Sequence, residues 1–165
     1  MGCGKRDDVG GIRTDNCVCE VVRAIKDIQD AAVADDCLDC TTSCFLEPLG
    51  DLNSPAMRRR ADTRVFTLTN KNGELFKALF KQKDGQCDAN CVTIYFRVEE
   101  IFDNCCATLR ALRPNKDIIN DYGKLDYGAI CHVDEWFRTN NCITVDLNCF
   151  CAIQCIADVD LDICE

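Results

Sequence analysis

The stretch Cys142-Ile143-Thr144-Val145-Asp146-Leu147-Asn148-Cys149-Phe150-Cys151-Ala152-Ile153-Gln154-Cys155 carries four of the sixteen cysteines of this 165-residue chain. Ile143, Val145, Leu147 and Cys149 alternate with Thr144, Asp146 and Asn148, the period of two that sets one face of a β-strand against a core. Cys151, Ile153 and Cys155 continue on the same parity. Fourteen residues exceed the usual strand of about five or six, so a bend is expected near Asn148 to Phe150, dividing the run into two strands.

Working outward, the same period recurs upstream. Arg64 to Thr69 and Glu74 to Phe80 flank Asn70-Lys71-Asn72-Gly73, whose Asn-Gly step signals a hairpin. Cys91 to Glu99 alternates cleanly, with Val92, Ile94, Phe96 and Val98 on one face, and Cys105 to Leu112 follows a short acidic turn as a second hairpin. Ala129 to Val133 reads as a further strand, and Thr139-Asn140-Asn141 as the turn before the final pair. Before all of these, Val18, Val21, Val22, Ile25, Ile28 and Ala32 fall at helical spacing behind a capping Asn16.

The expected fold is therefore mainly β: a β-sandwich or jelly-roll-like domain with one N-terminal amphipathic helix. Residues 1–16 read as a mobile tail carrying Cys3, 17–34 as the helix, 35–62 as a Cys-rich linker, 63–157 as the β-sandwich domain and 158–165 as an acidic C-terminal tail. The linker holds Pro48, Pro55 and the run Arg58-Arg59-Arg60, read as a solvated loop face or a dock for an acidic patch. Trp136 and Phe137 read as a core corner or an interface anchor.

Chains of this size bury enough surface to fold without covalent staples, so sixteen cysteines exceed what folding requires. They form five sets, Cys17 and Cys19; Cys37, Cys40 and Cys44; Cys87 and Cys91; Cys105 and Cys106; Cys149, Cys151 and Cys155. Cys3, Cys131, Cys142 and Cys164 stand apart. Neighbours on a strand such as Cys105 and Cys106 point to opposite faces, and Cys17 and Cys19 diverge by roughly 200° on a helix, so neither pair closes easily on itself. All sixteen are candidate disulfide or crosslink positions. The pairing stays open, since even eight cysteines allow 105 connectivities.

The opening Met1-Gly2-Cys3-Gly4-Lys5-Arg6-Asp7-Asp8 has no apolar stretch after its charges, so synthesis in a cytosol without a secretory leader is expected. Cytosolic thiols stay reduced. The cysteines then either hold metal as thiolates, making a zinc-binding or redox-switch module, or crosslink after release into an oxidising setting. Cys37-x-x-Cys40 is half of a four-thiolate zinc site, without a second CxxC. A net charge of −9 argues against nucleic acid or an anionic membrane as partner. GxSxG, HExxH and GxxxxGK[ST] motifs are absent, and the single His132, beside Cys131, is the one candidate for a Cys-His pair. No enzymatic activity and no cofactor are expected.

The quoted stretch resembles the C-terminal signature of the CotY, CotZ and ExsY family of Bacillus-type spore coat and exosporium proteins. Asn16-Cys17-Val18-Cys19 leading through Gln29, Lys71-Asn72-Gly73-Glu74-Leu75-Phe76, Phe96-Arg97-Val98-Glu99 and Cys106-Ala107-Thr108-Leu109 agree in order. The resemblance implies a structural protein made in the mother-cell cytoplasm. It implies assembly with itself, and with other coat or exosporium proteins, into a ring, lattice or fibre that becomes disulfide-crosslinked at the spore surface. A monomeric binding module is the remaining alternative from the residues themselves.

Overall fold

A computed structural model of the chain describes residues 16–36, 61–81 and 91–163. Helix α1 spans Cys17–Asp36; strands follow as β1 (Thr63–Asn70), β2 (Ala78–Leu79), β3 (Val92–Thr93), β4 (Phe96–Ile101) and β5 (Cys106–Pro114). A short helix α2 (Tyr127–Ile130), β6 (Trp136–Asp146), a 3-10 turn at Leu147–Cys149 and β7 (Phe150–Val159) complete the order. The result is a mainly β domain with one N-terminal amphipathic helix. Its strands form a five-stranded antiparallel sheet, β6-β5-β4-β1-β7, and a two-stranded ribbon, β2-β3.

The helix starts where the sequence places its cap: Asn16 Oδ1 accepts the Cys19 amide at 2.8 Å. Val18, Val22 and Ile25 are buried at four- and three-residue spacing, each contributing about 1.5–3 kcal/mol of transfer free energy. Ile28, expected on that face, is 50% exposed. Its place on the stripe belongs to Gln29, four residues beyond Ile25. The buried Gln29 amide donates to the Val98 carbonyl at 2.9 Å, and its oxygen accepts the Arg64 amide at 3.1 Å. β1 and β4 share one paired position, Phe66 with Phe96. Gln29 thus bridges the strands where their ladder is open, supplying partners that buried backbone groups require.

Strand residues alternate between two cores. Phe66, Leu68, Phe96, Val98, Ala107 and Leu109 pack with the helix, whereas Val65, Tyr95, Leu112 and Trp136 pack with Ile118, Ile119 and Leu161. Between β4 and β1, the buried Arg97 donates to Thr63 Oγ1 at 2.8 Å and pairs with Glu99 at 3.0 Å. Trp136 is the core member and Phe137 the exposed one, with Arg113 over its ring at 4.4 Å.

Two tight turns share one hydrogen-bond pattern. Gly73 N donates to Asn70 O and Glu74 N to Asn72 Oδ1; Cys105 N donates to Phe102 O and Cys106 N to Asn104 Oδ1. Gly73 has φ +86° and Cys105, at the equivalent position, φ +64°. Glycine takes that conformation freely, and a side chain there is strained.

Several segments differ from their sequence reading. The segment expected as a strand over Ala129 to Val133 begins inside α2, because Asp126 Oδ1 accepts the Ala129 amide and caps a helical turn. The hairpin expected across Asn70-Lys71-Asn72-Gly73 closes through an antiparallel bridge between Thr69 and Leu75 and the Phe76 amide on the Leu68 carbonyl. Only Ala78–Leu79 of the expected Glu74 to Phe80 strand is a strand, however, and that part pairs with β3. Thr139-Asn140-Asn141 lies within β6, where the register shifts between Arg110 and Leu112; Thr139 Oγ1 donates to the Ala111 carbonyl at 2.6 Å. β7 continues to Val159, and the buried Asp62 carboxylate accepts the Leu161 and Ile163 amides at 3.0 and 2.9 Å. Residues 158–163 therefore belong to the packed body rather than to a tail. Cys3, Cys37, Cys40, Cys44, Cys87, Cys164 and the run Arg58-Arg59-Arg60 lie outside the described residues.

Candidate functional site: cysteine-bearing sheet edges

The bend expected in the Cys142–Cys155 run falls at Leu147–Cys149, but its two halves are not neighbours. β6 and β7 are opposite edges of one sheet. Four strand spacings of about 4.8 Å would put flat edges about 19 Å apart, whereas four Cα steps from Asp146 to Phe150 reach at most about 15 Å. The sheet therefore curls so that its edges converge at this corner.

One corner residue, Cys105, holds the convergence. Its sulfur is bonded to Cys19 in the first turn of α1, with Cα atoms 5.7 Å apart, and its carbonyl accepts the Leu147 amide at 3.0 Å. Asn16 completes the clasp: while its oxygen caps the helix, its amide donates to Leu147 O at 3.1 Å and to Asn148 Oδ1 at 3.0 Å. Arg23, one turn along the helix, donates to Phe102 O at 3.0 Å. Helix start, β4–β5 turn and edge crossover are fastened together.

The remaining described thiols distribute around this clasp. Cys91 is also disulfide-bonded. Cys17 on α1, Cys131 after α2, Cys142 on β6, Cys149 in the crossover, and Cys151 and Cys155 on β7 are free and exposed; Cys106, opposite Asp146, is free and half-buried. The adjacent residues Cys105 and Cys106 thus have different fates, one sealed in an intrachain bond and one free. Both edge strands carry exposed thiols. Cys151 Sγ is 3.2 Å from Asn70 O.

Two cations flank the edge thiols. Arg110, cross-strand from Cys142, is bound by Glu99, which raises the pKa of its guanidinium against the lowering effect of burial. Arg64 grips Asp158 with two bonds of 2.7 and 2.9 Å, and this pairing holds the Asp158 carboxyl below its ordinary value. The Cys155 thiol lies within electrostatic reach of Arg64.

Other constellations do not gather into a site. His132 Nδ1 lies 2.7 Å from the Gly128 carbonyl in the α2 turn, so that nitrogen is occupied by the backbone. Among the described residues no group of three or more His, Cys, Asp or Glu is placed to hold a metal ion, and the half zinc motif Cys37-x-x-Cys40 lies outside them. No helix among the described residues is long and apolar enough to cross a membrane. Sequence reading missed Gln29, Asp62 and the Cys19–Cys105 pair. A polar residue on the apolar stripe of α1 was the available signal for Gln29; a bond across 86 residues left none.

Comparison with known proteins agrees with the resemblance seen in the sequence. A sequence model of the family described as Spore coat protein Z matches residues 1–158. Spore coat protein Z of Bacillus subtilis (strain 168) is 34% identical over 149 residues, covering 87% of this chain and 90% of the relative. No solved structure matches. The chain belongs to the Spore coat protein Z family, a family of structural coat proteins rather than enzymes.

Proposed function

We propose that this protein is a self-assembling building block of the spore coat or exosporium, made in the mother-cell cytoplasm and locked into ordered arrays by disulfides between chains. The observation that carries this reading is the partition of its sulfur. Among the described residues the Cys19–Cys105 disulfide fastens the corner of the fold and Cys91 is also bonded, while six exposed thiols remain, three of them on the two edge strands. A fold already cross-braced has no structural use for unpaired edge thiols, which are available to other chains. In this reading the curled sheet and the β2–β3 ribbon act as a sandwich-like body, and Cys3 and Cys164 add further crosslinks. Other coat proteins are expected partners through the same chemistry.

The reading is tested by oxidising purified reduced chain and boiling the product in detergent. Species larger than the monomer that survive boiling and collapse on addition of reductant support it. A monomer before and after oxidation contradicts it.

A further inference from the structure

The β7 edge carries a self-complementary cysteine register, and we infer that it is the surface through which two copies of this chain pair. This rests on the self-assembly reading and names one of its contacts. Cys151-Ala152-Ile153-Gln154-Cys155-Ile156 is an edge segment with no charge, glycine or proline, and all its residues except Ile153 are exposed. Edge strands are ordinarily guarded against pairing by charged side chains or proline. In a chain of net charge −9, two copies repel least where neither presents charge.

The spacing selects the occupant. Cys151 and Cys155 flank Ile153 at two residues on each side. When two β7 strands pair antiparallel about a two-fold axis at Ile153, each Cys151 stands opposite the other chain's Cys155. Directly opposed residues in such a pair have Cα atoms about 4.5–5.5 Å apart, inside the roughly 4.4–6.8 Å that a disulfide spans. Register shifts near Cys151 and beside Ile156 leave residues 152–155 as the regularly paired part of this segment, with residues 157–159 paired to β1 beyond the second shift. Backbone pairing over so short a stretch is weak, and two disulfides make it permanent. Each bond joins two thiols with loss of two protons and two electrons. A low-molecular-weight disulfide takes these up and is released as two thiols.

The test uses full-length chains carrying Cys151→Ser or Cys155→Ser, one of the pair labelled with heavy nitrogen, oxidised with oxidised glutathione and mapped by mass spectrometry. A mixture of labelled and unlabelled unsubstituted chains is expected to give mixed-isotope peptides joining Cys151 to Cys155. Each variant alone loses that bond, and mixing the two variants restores it, from Cys155 of one chain to Cys151 of the other. A Cys151–Cys151 bond in the Cys155→Ser chain, or no mixed-isotope bond on β7, overturns the register. Arrays that form without this bond would leave the assembly reading standing and remove this contact. The bond without arrays would do the reverse.

Discussion

Cys19 and Cys105, 86 residues apart, are joined by a disulfide that ties the first turn of α1 to a β-turn whose residue at φ +64° is Cys105 itself. The bond sits where Asn16, Leu147 and Arg23 also converge, so one covalent link braces the corner at which both sheet edges meet.

Chain-entropy arithmetic for a loop of this length gives about 4–5 kcal/mol of stabilisation, all of it lost in Cys19→Ser. Cys105→Gly also removes the bond but relieves the left-handed backbone, so it is expected to lose about 1–2 kcal/mol less than Cys105→Ser. Urea unfolding of the three variants, followed by circular dichroism, checks the order. Equal losses at Cys105→Gly and Cys105→Ser would mean the turn is not strained.

Gln29→Leu keeps the volume of the side chain, strands the Arg64 amide and leaves the Val98 carbonyl with only the longer bond from Arg97 at 3.3 Å. The expected cost is about 1–3 kcal/mol, chiefly from the Arg64 amide left without its partner. Hydrogen exchange offers the local readout, with the Arg64 amide losing protection in the variant ahead of amides in the β5–β6 ladder.

Asp158 is held below its ordinary pKa of 3.8 by its hydrogen bonds to Arg64, so the pair stabilises the fold above that value and the stabilisation fades as pH falls through the lowered one. Both side chains are substantially exposed, at 31% and 50%, which limits the contribution to about 1 kcal/mol or less. Asp158→Asn is expected to lower the urea midpoint slightly at pH 7, and to match the parent chain once acid has protonated the carboxyl.

Burial pushes the Tyr95 phenol up from 10.0 to about 12, with a smaller contribution from the Cys131 thiol. Because the unfolded phenol ionises first, its contribution is complete below pH 10 and is lost as pH rises toward 12, about 2–3 kcal/mol in all. An alkaline absorbance titration of Tyr95→Phe is expected to lack the last phenolate step seen in the parent chain.

How much of this was legible in sequence depended on range. The α1 start was readable because Asn16 and the Val18, Val22, Ile25 spacing are local signals. The alternating strands and the break near Asn148 were readable for the same reason. The placement of β6 and β7 on opposite edges was not, because a three-residue connection ordinarily joins strands that pair, and only the curl of the sheet permits otherwise. The Ala129 to Val133 run misled because a short apolar stretch fits strand or helix, and the Asp126 cap decides between them. For the thiols, residue type marked all sixteen alike; which are sealed and which exposed depends on tertiary contacts such as that between Cys19 and Cys105.

The most direct test of self-assembly is electron microscopy of the chain alone, purified soluble in reductant and imaged before and after the reductant is removed. Ordered sheets, rings or fibres that persist in detergent until reductant is restored are the expected result. A monodisperse monomer in both conditions would contradict the account.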